Sequence, residues 1–159
     1  MNIHVVAEQE AARISHIIAE HQGDEGPLLP ILHDIQAEFG YVPESAKQII
    51  AKALNLSRAE VHGVVTFYHD FRDHPSGRHV LKLCRAEACQ SMGCEPLADK
   101  IKAKLGIDWH ETTADGAVTL EPVFCLGLCA SAPAAMLDDA LYGRLNEDCL
   151  NDIVAEVGR

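Results

Sequence analysis

All six cysteines of this 159-residue chain fall after residue 83, at Cys84, Cys89, Cys94, Cys125, Cys129 and Cys149. No other feature constrains the chain as much. Met1-Asn2-Ile3-His4 soon meets Glu8 and Glu10, which is not the basic-then-apolar order of an export signal. In a chain of this kind, grouped thiols point to metal or redox chemistry, because the cytoplasm keeps thiols reduced. A disulfide framework is the competing reading, but a chain this long buries enough core to fold without staples. Histidine marks the opposite half, with eight of nine before residue 80.

Composition narrows the partners. Thirteen lysines and arginines against 24 aspartates and glutamates leave a formal charge of −11, which repels nucleic-acid phosphate and offers no basic anchor for a membrane surface. The sequence holds no apolar run long enough to span a bilayer. We therefore expect a cytoplasmic protein that neither binds nucleic acid nor inserts into membranes.

Hydrophobic spacing changes along the chain. Val6, Ile14, Ile17 and Ile18 fall at helical intervals within residues 5–22, and Leu28, Ile31, Leu32, Ile35 and Phe39 within a second helix that Gly40 can end. Residues 44–54 predict a third helix after Pro43. Ser57-Arg58-Ala59-Glu60 is a capping-box pattern opening a fourth through Phe67. Asp73-His74-Pro75-Ser76-Gly77 is a linker, dividing a helical bundle at 1–75 from a second domain at 76–159. Beyond it, His79–Cys84 alternates like a strand and Leu97, Ile101 and Leu105 step like a helix. Val118–Phe124 and Ala134–Leu137 predict strands, Leu141–Arg144 a hairpin partner, and Leu150–Val157 a closing helix. The fold class is α/β (α+β): a small sheet with helices packed on it.

Cys84 and Cys89 enclose four residues, Cys125 and Cys129 enclose three, and each pair follows a predicted strand end. Four thiolates are the ligand set of a [2Fe-2S] cluster and also of structural zinc. Zinc knuckles generally use a two-residue gap, whose tight turn aims both sulfurs at one ion. The wider gaps here suit two iron atoms, each taking a pair. Small Ala86, Ala88, Gly127 and Ala130 let backbone N–H groups approach sulfur. Spacing alone also allows Cys89 with Cys94, but Cys94 reads as a semi-buried residue ahead of a helix led by Pro96. Cys149 reads as a buried small hydrophobe. No Cys-x-x-Cys dithiol is present, which argues against thiol–disulfide exchange. The histidine positions do not suit a Rieske-type site. Phe67, Tyr68 and Phe71 are either a docking surface or core, and Trp109 sits in a loop.

The strings Gly63-Val64-Val65-Thr66-Phe67-Tyr68, Cys84-x4-Cys89 and Cys125-Leu126-Gly127-Leu128-Cys129 resemble one family closely. It comprises the thioredoxin-like [2Fe-2S] subunit of NADH:quinone oxidoreductase (complex I), of NAD-linked hydrogenase diaphorases and of NAD-dependent formate dehydrogenases. Val61–Arg72 and Cys84-Arg85-Ala86-Glu87-Ala88-Cys89-Gln90-Ser91-Met92-Gly93 look most like the formate dehydrogenase gamma subunit. The resemblance spans nearly the whole chain and implies a helical bundle followed by a thioredoxin-like domain with a small mixed sheet. It implies one [2Fe-2S] cluster on Cys84, Cys89, Cys125 and Cys129. It also implies docking on an FMN- and NAD-binding diaphorase subunit, with a molybdenum cofactor on a larger iron–sulfur catalytic subunit. The alternative is the equivalent subunit of complex I or of a hydrogenase diaphorase. This chain carries no Gly-x-Gly-x-x-Gly segment and no complete active site of its own, as suits an accessory electron-transfer subunit. Extra Cys94 departs from the four-cysteine pattern.

Overall fold

A computed structural model describes residues 3–157, with side chains from residue 8 onward. The chain divides into two compact units, Met1–Pro75 and Ser76–Arg159.

The first unit is four helices: α1 (Ile3–Glu20), α2 (Leu28–Phe39), α3 (Glu44–Ala53) and α4 (Arg58–Phe67). Their apolar stripes meet in one core, where Ile14 and Ile17 of α1 face Ile31, Leu32 and Ile35 of α2, Ile50 of α3 and Val61 of α4. Each such side chain removed from water contributes about 1.5–3 kcal/mol. Val6 lies outside the described side chains. α2 ends at Gly40 with φ +80°, and the Gly40 N–H donates to the Gln36 carbonyl at 2.8 Å. Ser57 and Glu60 form the reciprocal capping box that opens α4. Phe71 joins the core, whereas Phe67 and Tyr68 are exposed. The Gln36 side chain draws the segment after α4 back onto α2, donating to the Asp70 carbonyl at 2.7 Å and accepting from the Arg72 N–H at 2.8 Å.

His21 fastens the connection between α1 and α2. Its Nδ1 meets Asp24 Oδ2 at 2.6 Å and its Nε2 meets Asp34 Oδ2 at 2.7 Å. A carboxylate accepts only, so both ring nitrogens donate and the ring is an imidazolium. These two bonds hold the His21 pKa above its ordinary value.

The second unit runs β1 (His79–Cys84), α5 (Glu87–Ser91), α6 (Cys94–Leu105), β2 (Val118–Val123), a 3-10 turn (Cys129–Ser131), β3 (Ala135–Leu137), β4 (Ala140–Tyr142) and α7 (Glu147–Val157). The sheet is mixed, in the order β2-β1-β3-β4. β1 and β2 are parallel, with Leu81 opposite Leu120 and Cys84 opposite Val123. β3 runs antiparallel to both β1 and β4. Leu81 and Leu83 of β1, Leu120 of β2, Ala135 and Leu137 of β3, Ile101 of α6 and Leu150 and Ile153 of α7 form the core. This is the expected thioredoxin-like α/β arrangement, with helices α5 and α6 making the crossover that a parallel pair requires. Among the described residues no helix is long and apolar enough to cross a membrane.

Several details differ from the sequence reading. β3 begins at Ala135, one residue late, β4 is Ala140–Tyr142 rather than Leu141–Arg144, and α7 begins at Glu147, ahead of Leu150. β2 stops at Val123, one residue short. Its outer edge is also paired: the His110 N–H donates to the Leu120 carbonyl at 2.8 Å, and the Leu120 N–H to the Glu111 carbonyl at 3.0 Å. Buried Thr119 shares its hydroxyl with Thr112 at 2.7 Å and accepts from the Gly77 N–H at 2.7 Å. No hydrophobic period marks residues 110–113, so this edging was not legible.

Gly143 brings the segment after β4 against the 3-10 turn. The next N–H, of Arg144, donates to the Ser131 carbonyl at 2.6 Å. A Cβ on Gly143 would lie 2.9 Å from the Ser131 Cβ and 3.0 Å from its carbonyl oxygen, neither of which can swing aside.

Both contacts can be tested by substitution. Gly143→Ala should lose about 1–3 kcal/mol in urea unfolding with an unchanged m value. The His21 clamp should depend on pH. Its stabilisation is complete below the unfolded-state value of 6.5 and is lost as pH rises through the higher folded-state value. Comparing the wild type with His21→Gln, the stability gap should therefore be wide near about pH 5.5 and narrow in mild alkali. A gap that widens with pH would contradict an imidazolium at this position.

Candidate metal centre

Because β1 and β2 are parallel, their C-terminal ends leave the sheet at one edge. Cys84 is the last residue of β1, and Cys125 lies two residues past the end of β2. Cys89 is not on a loop, as the strand-end reading implied, but on the short helix α5. Its helix-favouring neighbours Glu87, Ala88 and Gln90 are a signal for that, although five residues are too few to show a period. Cys129 opens the 3-10 turn, and α5 packs against that turn. The sequence thus folds two thiol pairs toward one place.

Within each pair the sulfurs touch. Cys125 Sγ and Cys129 Sγ are 3.7 Å apart. Thiolate–metal bonds of about 2.3 Å in a tetrahedron put two sulfurs about 3.8 Å apart, so this pair suits one metal atom. The Cys89 thiol is hydrogen-bonded with Cys84, and the Ala134 N–H points to the Cys89 sulfur. Packing links the two pairs, since Leu126 and Leu128, which lie between Cys125 and Cys129, rest against the cluster of Cys84 and Cys89. All six cysteines are free thiols.

The environments of the two pairs differ. Cys84 and Cys89 are buried with Ala134 against Ala86, Val123, Leu126, Leu128 and Ala132, while Cys125 and Cys129 are exposed. Burial, with the Cys84 thiol beside it, pushes Cys89 up to about 11. A thiolate there needs a cation next to it, which a bound metal supplies. Gly127 gives Cys125 a backbone donor, N–H to Sγ at 3.3 Å. Cys125 itself has φ +127°, a backbone conformation that costs a non-glycine residue about 1–3 kcal/mol and tends to mark functional sites.

Cys94 is the residue that the sequence reading underplayed. It is the first residue of α6, not a position ahead of it, and it is buried in the same pocket as Cys84 and Cys89. Its even spacing after Cys84 and Cys89 was the available signal. Cys149 sits in α7, half-buried against the core. His79 and His110 pair instead with Asp138 and Glu121, at 2.8 and 2.6 Å. Among the described residues, no three His, Cys, Asp or Glu side chains converge to hold a single ion. The thiols that could hold a metal are the Cys84–Cys89 and Cys125–Cys129 pairs, with Cys94 beside the first.

Comparison with known proteins agrees with this chemistry. An NADH-quinone oxidoreductase subunit of Pseudomonas aeruginosa is 36% identical over 144 residues, which is 91% of this chain and 87% of the relative. The alpha subunit of the NAD-reducing hydrogenase HoxS of Cupriavidus necator is 30% identical over 146 residues, 92% of this chain but 24% of that longer one. In fold, the chain is similar to part of an NAD+-reducing [NiFe]-hydrogenase crystal structure, with TM-score 0.71 at 23% identity over 83% of this chain and 23% of that chain. The profile of the thioredoxin-like [2Fe-2S] ferredoxins matches residues 14–158, and this chain belongs to that family.

Proposed function

We propose that this chain is a one-electron carrier in an NAD-linked oxidoreductase complex, with Cys84 and Cys89 holding one iron and Cys125 and Cys129 the other. A [2Fe-2S] cluster supplies the redox chemistry when bound, while the chain sets its position and surroundings. The observation that carries this reading is the convergence of two separate thiol pairs, one exposed and one buried, at a single sheet edge. In this proposal residues 76–159 are the cluster domain and residues 1–75 an accessory bundle. Six free thiols suit the reducing cytoplasm, where we place the complex.

The named relatives favour an assembly of the NADH-quinone oxidoreductase or NAD-reducing hydrogenase type. The hydrogenase relative supports a tight partner. There the matching segment is about a quarter of one longer chain, whereas the Pseudomonas relative matches along most of its own length. A module found both fused and separate implies a counterpart of the fused remainder as its partner, and we take that counterpart to bind FMN and NAD. A second reading has its own support. The residues between Cys84 and Gly93 resemble the gamma subunit of formate dehydrogenase, which would add a molybdenum-bearing catalytic subunit.

The purified chain should be brown, hold about two irons and give a rhombic EPR signal after reduction. Cys125→Ser should lose iron or shift that spectrum. One zinc per colourless chain, or a Cys125→Ser variant with unaltered iron and absorbance, would overturn the proposal. Affinity purification from native cells then separates the assemblies. A molybdenum protein in the eluate selects the formate dehydrogenase reading, and membrane or nickel–iron subunits select the other.

A further inference from the structure

The residue after Cys84 is anchored from several directions. Arg85 Nε and Nη2 donate to Glu95 Oε1 and Oε2 at 3.0 and 2.9 Å, a fork on one carboxylate. The guanidinium carbon lies 5.2 Å from the centre of the Trp109 ring, which the Lys102 ammonium also approaches, at 4.4 Å. Lys102 pairs in turn with Asp108 at 2.6 Å. The Arg85 main chain is fixed as well. Its N–H donates to the Val123 carbonyl at 2.8 Å, and its carbonyl accepts from the Gln90 side chain at 3.0 Å. One residue thereby connects the end of β1, the position after Cys89, the start of α6 and the turn at Trp109.

The two charges also stand at the cysteine pocket. Arg85 adjoins Cys84, and Glu95 adjoins Cys94, which shares that pocket with Cys84 and Cys89. Glu95 reaches it directly, with Oε1 3.9 Å from the Cys94 Sγ. Both side chains are only partly exposed, so solvent screens them incompletely. We propose that Arg85 and Glu95 are a balanced charge pair that positions the limb carrying Cys84 and Cys89 and trims the reduction potential of the cluster.

This inference rests on the [2Fe-2S] reading above. Reduction adds one negative charge to a centre that four thiolates already make anionic. A nearby cation favours that step and a nearby carboxylate opposes it. With both present, the contributions largely cancel. Glutamine keeps the shape of Glu95, and at Arg85 it removes the guanidinium while keeping a polar side chain; either change leaves the other charge uncompensated. Trp109 limits the freedom of the guanidinium, which a lysine at this position would not share.

The test is a potentiometric titration of the full, iron-loaded chain, followed by EPR. Arg85→Gln should lower the midpoint potential, Glu95→Gln should raise it, and the double variant should return close to the wild type. Arg85→Lys, which keeps the charge but not the fork, should stay nearer the wild-type potential than Arg85→Gln and yield its iron faster to a chelator. Single variants that shift the same way, or do not shift, would overturn the pairing. Should Arg85→Gln fail to retain iron, Glu95→Gln decides alone, and an unchanged or lowered potential refutes the idea. A wild-type chain that binds no iron would overturn the cluster reading itself, a result visible before any variant is compared.

Discussion

The candidate site depends on two parallel strands that end level with each other. With Cys84 opposite Val123, the chain leaves β1 and β2 on the same side and at the same height. Segments 35 or more residues apart in sequence are thereby made neighbours. Antiparallel pairing of these strands would send them to opposite ends of the sheet. β3 completes the arrangement from the other flank, where the Ala134 carbonyl takes the Cys84 N–H at 3.0 Å. The apolar core beneath β1 and β2 fixes this register, because a slip of one residue would turn Leu81 and Leu83 toward the opposite face.

That geometry makes the two cysteine pairs unequal. One pair is sunk among alanines and leucines, where burial holds the Cys89 thiol above its ordinary value. The other stands in solvent on a strained backbone, with its own N–H donor at Gly127. Beyond Cys129 the chain is held by the bonds that the Arg144 and Leu145 N–H groups donate to the Ser131 and Pro133 carbonyls.

Much of this was legible before the fold was known. The four bundle helices follow from runs such as Ile31, Leu32 and Ile35, and the start of α4 from Ser57 and Glu60. The strands follow from alternation around Leu81. Spacing groups the thiols but leaves Cys94 open as a partner of Cys89, and the choice of Cys84, Cys89, Cys125 and Cys129 comes from the family resemblance. Other features were not, for physical reasons. Helix α5 is shorter than two helical turns, so it leaves no periodic trace. The burial of Cys94 follows from where α6 begins, and the sequence reading set that start two residues late. The Arg85–Glu95 fork joins residues ten apart through tertiary packing, and no local pattern announces such a pair. The resemblance of Cys84–Gly93 to formate dehydrogenase and the identity of the named relatives point to different assemblies.

The paired edge of β2 has a consequence for assembly. Residues 110–113 occupy the backbone groups that a foreign strand would seek, and the opposite border of the sheet is the three-residue β4. Neither side offers an extended template for β-augmentation. A partner docking on this unit would therefore meet side chains and loops rather than an open strand edge.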